Sequence, residues 1–169
     1  MDLLNLVFLF VVYAATMYFA NAAPIILHGK TPIDLGKKLF GERIFGEGKT
    51  ILGALSGILI GVSAGALVYF IVPTAQTIPN YFLFIVFLSI GAIFGDIAKS
   101  FFKRRIKIKS GEQWAFADQL DFILGGLILS SFIRVPELEI VVALLILTVF
   151  VHSATNYLAF KIKLKKVPW

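Results

Sequence analysis

The residues of this chain best suited to chemistry lie between Asp96 and Asp121. Three of its five Asp, at 96, 118 and 121, bracket six of its sixteen Lys/Arg, at 99, 103, 104, 105, 107 and 109. Asp118 and Asp121 are three apart and share one face of a helix. On the helix carrying Asp96, Ser100 and Lys103 follow at i+4 and i+7, on the same face. If the two helices pack side by side, three carboxylates meet at one depth and repel one another unless a cation counters them. A hard divalent ion such as Mg2+ suits one or two carboxylates together with substrate phosphates. Asp96, Asp118 and Asp121 are therefore the expected metal ligands, for one ion or two. The alternative is ion pairing of the same acids with nearby Lys/Arg.

A second stretch, Gly46-Glu47-Gly48-Lys49-Thr50, resembles the end of a phosphate-binding P-loop. The full pattern needs Gly at 43, where Arg43 stands, and no strand precedes it, so a P-loop NTPase is rejected. The local physics remains. Gly-Lys-Thr opens an apolar helix, and free N–H groups at a helix start favour anions. The simpler reading is an N-cap by Thr50, with Lys49 marking the membrane edge.

The elements that must position these residues are set by apolarity. The chain is 59% apolar and 15% charged, against a usual ~25% charged, and its mean hydropathy is +0.89. A soluble domain of this size cannot hide that much apolar surface, so the expectation is one all-α integral membrane domain covering 1–169. Without Cys, disulfides and thiolate chemistry are excluded. With only His28 and His152, no zinc set or His-based triad stands out.

Five spans are expected, at about 3–23, 50–72, 81–101, 117–134 and 140–160. A span takes ~20 apolar residues. The first has no basic n-region and too long an apolar run for a cleaved signal. The fourth is long enough only if Asp118 and Asp121 begin it, because the charge-free part is Phe122 to Ile133. The second carries Gly53, Gly57, Gly61 and Gly65 on one ridge, a surface for close helix packing, within the chain or across a homodimer. His152 and Asn156 on the last span, like Ser153 and Tyr157, suit bonds to neighbouring helices; Asn156 is also a weak site candidate. The loop at about 24–49 is expected to be ordered around an amphipathic segment, and that at about 102–116 to be basic.

Fifteen of the sixteen Lys/Arg fall in the 24–49 loop, the 99–109 region or the C-terminal tail. With five spans all three lie on one side, the cytoplasm by the positive-inside rule. The N-terminus is then outside and the C-terminus cytoplasmic. The basic run beside a span also has a simple explanation in topology and contact with anionic lipid.

Ser100-x-x-Lys103-Arg104-x-x-Lys107, followed by Asp118-x-x-Asp121, is similar to the signature of the phosphatidate (CDP-diacylglycerol) cytidylyltransferases. Gln119 stands where the bacterial-type members have Arg. Five spans, the Gly-Lys-Thr loop, Gly95-Asp96, the Lys-Arg-Arg run and Asp-Gln-x-Asp resemble the archaeal branch, the CDP-archaeol synthases. The resemblance implies a CTP-dependent nucleotidyltransferase of the cell membrane, its site facing the cytoplasm, with CTP, an archaeal ether-lipid phosphate and membrane lipids as partners and no nucleic acid. It would convert a bis-geranylgeranyl glycerol phosphate to CDP-archaeol and pyrophosphate.

On that basis Asp96, Asp118, Asp121, Lys103 and Arg104 are expected to be catalytic. Gly46, Gly48, Lys49, Thr50, Lys37, Arg43 and Phe45 are expected at the nucleotide. Ser100, Lys107, Asn21 and Pro24 are expected at the lipid phosphate. The same chemistry on diacyl phosphatidate, and a membrane anion transporter using the same basic cavity, remain the alternatives.

Overall fold

The computed structural model describes residues 3–164, with His152 described by its backbone alone; Asp2, Lys165, Lys166, Pro168 and Trp169 lie outside the described residues. The elements in chain order are α1 (Leu3–Ile26), a hairpin of β1 (Lys38–Leu39) and β2 (Glu42–Arg43), α2 (Ile51–Ile71), α3 (Pro73–Gln76), α4 (Tyr81–Arg105), α5 (Ala117–Ser130) and α6 (Leu138–Lys161). Helices α1, α2, α4 and α6 are each long and apolar enough to cross a membrane. Large apolar side chains such as Leu59, Phe70, Phe94 and Phe150 are exposed on their outer faces, as lipid-facing residues must be.

The core lies where α1, α2, α4 and α5 meet. Tyr13, Met17, Phe84, Leu88, Phe122 and Ile123 are fully buried there. Tyr13 meets Phe84 edge-on at 5.1 Å, and Tyr18 meets Phe122 at 5.3 Å.

Two glycine seams set how closely the helices approach. Gly57, Gly61 and Gly65 of α2 press against α1 and α4. A Cβ at Gly61 would fall 2.7 Å from both Ala20 Cβ and Ser89 Oγ. The ridge is thus used inside the chain, which removes it as a homodimer surface. The second seam, between α4 and α5, is tighter. A Cβ at Gly91 would lie 2.4 Å from the Gly125 carbonyl oxygen, and one at Gly125 would lie 2.2 Å from that of Gly91. Only backbones without side chains can cross so closely.

Several expected boundaries move. Pro24 does not open the loop: it sits inside α1, which runs to Ile26. Proline removes the hydrogen bond to the carbonyl four residues back, here Ala20, and that carbonyl faces Gly57, 2.8 Å from where a Cβ would stand. A neighbouring helix backbone thus covers the gap, which is how spans tolerate proline. Helix α4 continues to Arg105, so Lys103, Arg104 and Arg105 form its last turn, where cations suit the helix C-terminus. Helix α6 is longer than expected by two residues at its start and one at its end.

The largest correction is α5. The expected 117–134 span is helical only over Ala117–Ser130, 14 residues. At ~1.5 Å per residue this is ~21 Å, short of a ~30 Å hydrocarbon layer. Beyond Ser131 the chain turns, with the Ile133 and Arg134 N–H groups both donating to the Ser130 carbonyl. Arg134 pairs with Glu137, and Pro136 disfavours helix in the residue before it. The start of α5 nevertheless lines a polar cleft beside Asn21 and Pro24. Arg134 lines a separate cavity with Asn5 and Thr74. Since Asn5 and Asn21 lie toward opposite ends of α1, the segment from 118 to 134 runs from one end of the bundle to the other.

Candidate functional site

The loop after α1 is ordered, and its organiser is Asp34. This side chain is fully buried (0% exposed) and pairs with Arg43 at 2.6 Å. It also accepts hydrogen bonds from the N–H groups of Gly36, Phe45 and Gly46, each at 3.1 Å. Burial alone would raise its pKa. The bonds from Arg43 and from the Phe45, Gly36 and Gly46 N–H groups outweigh it and hold the carboxyl well below the usual carboxylate range. The hairpin turns through Phe40 and Gly41, both at positive φ, the signature of a type I′ turn. Arg105 donates to the Arg43 carbonyl at 2.7 Å, tying the loop to the end of α4.

The loop delivers Gly46 to Thr50 to the start of α2. Thr50 is the N-cap, its Oγ1 accepting from Gly53 N–H at 3.1 Å. Ile51 N–H donates to the Thr31 carbonyl at 3.0 Å. These two amides are therefore committed to the protein. Gly46, at φ +97°, packs against the Arg104 side chain. The Lys49 ammonium pairs with Asp96 at 2.5 Å.

The expected trio of acids does converge, and a lysine stands at its centre. Lys99 Nζ lies 2.6 Å from Asp121 Oδ2, 3.1 Å from Asp118 Oδ1 and 3.3 Å from Asp96 Oδ1. Lys103 Nζ meets both Asp118 oxygens at 3.0 Å and donates to the Glu112 carbonyl at 2.5 Å. Asp118 further accepts from Trp114 N–H at 2.6 Å. The second glycine seam explains the convergence: Gly95 immediately precedes Asp96, and its missing Cβ would fall 2.1 Å from the Asp121 carbonyl oxygen. Among the described residues, no three acidic or imidazole side chains form a ready-made metal shell. The donors nevertheless fit a hard cation. They are carboxylate oxygens already grouped around one cation, and buried Asp121 Oδ2 has the Lys99 ammonium at 2.6 Å as its partner.

Around this hub lies a cleft of about 520 Å³ lined by Asn21, Pro24, His28, Gly48, Lys49, Thr50, Asp96, Lys99, Lys103, Asp118 and Asn156. A smaller hollow of about 140 Å³ adjoins it, lined by Phe45, Gly48, Lys49, Lys99, Ser100, Lys103 and Arg104 among others. Between them these cavities collect most of the residues expected at the site. Asp121, Gly46, Lys37, Arg43 and Lys107 line neither. Arg43 is engaged by Asp34, Lys37 is exposed, and Lys107 is exposed at positive φ. Ser100 is buried and donates to the Asp96 carbonyl at 3.0 Å. Gln119 donates to Ser153 of α6 at 2.9 Å, which bears out a helix-bonding role for Ser153; the His152 side chain lies outside the described residues.

Sequence reasoning missed two residues. Lys99 had a signal, because it stands three residues after Asp96 on the same helix face. Asp34 had only its place in a Gly-rich loop, and nothing local distinguishes it.

The family profile described as CarS-like, CDP-archaeol synthase, matches residues 3–169. The chain is similar to the CDP-archaeol synthase of Thermococcus onnurineus, 41% identical over 159 residues, covering 93% of this chain and 94% of that one. It is 38% identical to that of Methanocaldococcus jannaschii, again covering 93% and 94%. It also resembles a solved structure described as an intramembrane enzyme for archaeal membrane lipids biosynthesis, with TM-score 0.76 and 33% identity, covering 86% of this chain and 91% of that one.

Proposed function

The chain belongs to the CarS-like CDP-archaeol synthase family, and from that premise we propose how its cleft carries out CTP-dependent transfer of a cytidylyl group to an archaeal lipid phosphate. The observation that carries this reading is the cleft, where Lys49, Lys99 and Lys103 meet Asp96, Asp118 and Asp121 beside Asn21, Pro24 and Asn156 of two apolar helices. Polar and lipid substrates can meet only at such a boundary.

A lipid phosphate monoester is already an anion at neutral pH and needs no general base. Its oxygen attacks the α-phosphorus of CTP, a new P–O bond forms, and the bond from that phosphorus to the oxygen bridging to the β-phosphate breaks. Pyrophosphate leaves with the electron pair. The protein's task is alignment and neutralisation of the charge that spreads over the phosphates. Lys49, Lys103 and Arg104 bind triphosphate and lipid-phosphate oxygens, and Phe45, Gly48 and Ser100 shape the hollow beside them. Asp96, Asp118 and Asp121 would hold Mg2+, which would supply positive charge to offset the charge that develops on the phosphates. Arg43 serves through Asp34, by fixing the loop that presents Lys49.

Five crossings place the 24–49 loop, the end of α4 and the C-terminal tail on one face, which the positive-inside rule makes the cytoplasm of the cell membrane. The passage of 118–134 from the cleft end to the Arg134 end supports this, with the membrane thinning locally or flanking residues extending the short α5.

The test is incubation of the purified protein with labelled CTP, a geranylgeranyl glycerol phosphate and Mg2+ in detergent. A CDP-lipid appearing with equimolar pyrophosphate is expected. CTP binding without product would overturn the reading in favour of an anion-binding membrane protein. Preference for diacyl phosphatidate would reassign the lipid.

A further inference from the structure

We propose that Lys99 is a tethered cation that holds the place of a divalent ion among Asp96, Asp118 and Asp121, and that metal and nucleotide displace it together. This rests on the cytidylyltransferase reading of the cleft.

One ammonium touches all three carboxylates, at 2.6, 3.1 and 3.3 Å. Lys49 and Lys103 complete the set on Asp96 and Asp118. Three carboxylates thus face three ammonium groups, and the hub is electrically neutral as it stands. A bare divalent ion entering it would bring two positive charges to a balanced, largely buried cluster and would have to expel an ammonium from its own donors. Metal alone is therefore opposed. A triphosphate reverses the balance, because it brings negative charge for both the ion and the released ammonium.

The cleft gives Lys99 somewhere to go. Lys99 lines both the large cavity and the adjoining hollow, and its four-carbon stem has the rotatable bonds to reach either. The hollow is also lined by Lys49, Lys103 and Arg104, so it accepts a further ammonium only when phosphate oxygens occupy it. Displacement from the acids is thereby coupled to arrival of the nucleotide. Asp121 adds a second sign. Its side chain is 4% exposed, and Oδ2 has the Lys99 ammonium at 2.6 Å as its partner. Removing that ammonium leaves a buried carboxylate oxygen that another cation must satisfy.

The experiment is Mn2+ titration of the purified full-length protein in detergent, with free Mn2+ read by its paramagnetic resonance signal, with and without CTP. The parent protein is expected to bind Mn2+ weakly alone and at least about tenfold more tightly with CTP. Lys99→Met is expected to bind Mn2+ at least about tenfold more tightly than the parent without CTP, and to lose most of the CTP-dependent gain. Lys99→Met/Asp121→Asn should return to weak binding. If Lys99→Met destabilises the protein, Lys99→Gln retains hydrogen bonding without the charge and carries the same expectation. Either neutral variant binding Mn2+ no more tightly than the parent overturns the proposal. Product formation by the parent protein tests the underlying reading separately. Product without tighter Mn2+ binding in the variants rejects Lys99 as the ion's stand-in, and tighter Mn2+ binding without product from the parent rejects only the reaction.

Discussion

Gly95 and Asp121 are in backbone contact: a Cβ on Gly95 would lie 2.1 Å from the Asp121 carbonyl oxygen. The residue after this glycine is Asp96, so one close crossing of α4 and α5 brings two carboxylates to the same ammonium. The convergence of these acids thus depends on a packing detail that contains no functional group.

Gly95→Ala is therefore expected to push α5 away from α4. Overpacking of this kind costs about 1–3 kcal/mol, which appears as a lower melting temperature in detergent. Loss of CDP-lipid synthesis should exceed what the melting shift explains, because the carboxylates separate. A Gly95→Ala protein with parental activity would contradict the crossing as the positioning device.

Asp121→Asn keeps the shape and removes one charge. Synthesis is expected to fall by at least about 10²-fold, while the protein remains folded by circular dichroism. Because Lys99 loses its nearest carboxylate, a modest drop in melting temperature should accompany it. Retained Mg2+-dependent turnover in a folded Asp121→Asn protein would remove the metal assignment.

Asp34 makes the 24–49 loop pH-dependent in a defined direction. Its pKa is depressed in the folded state, so its contribution is complete above the unfolded carboxyl value near ~4. It is lost as pH falls through the lower folded value. Hydrogen exchange across residues 30–49 should show constant protection from pH 7 to about 4 and weaker protection only in stronger acid, after correction for the intrinsic rate. Asp34→Asn should be weakly protected throughout, with that acid dependence gone.

The chain has no Cys, so single cysteines report topology cleanly. Phe40→Cys and Ser110→Cys, both at exposed positions, should react with a membrane-impermeant maleimide from the same face of a vesicle. Val135→Cys should react from the opposite face. Labelling of all three from one face would mean that α5 re-enters the membrane rather than crossing it.

Much of this protein could be read in one dimension. Apolar run length separated the spans, charge bias grouped the basic regions, and Asp-x-x-Asp after the Lys-Arg run pointed to phosphate chemistry. These signals add up residue by residue along a helix, because transfer to lipid depends mainly on a side chain's own polarity. Thr50 as N-cap and Ser153 as a helix-bonding residue were likewise local.

The sequence by itself determined the membrane character, the polar segment between two apolar helices and the acids that gather there. The tertiary structure decided which cation those acids hold, that α5 is a short helix ending at Ser130, and that Arg43 belongs to Asp34 rather than to the cleft. The reason is that these outcomes depend on distances between segments far apart in the chain. Nothing in the spacing of Gly91, Gly95 and Gly125 states that they face one another. Once they do, their absent side chains set the separation of two helices, and that separation leaves Lys99 among three carboxylates.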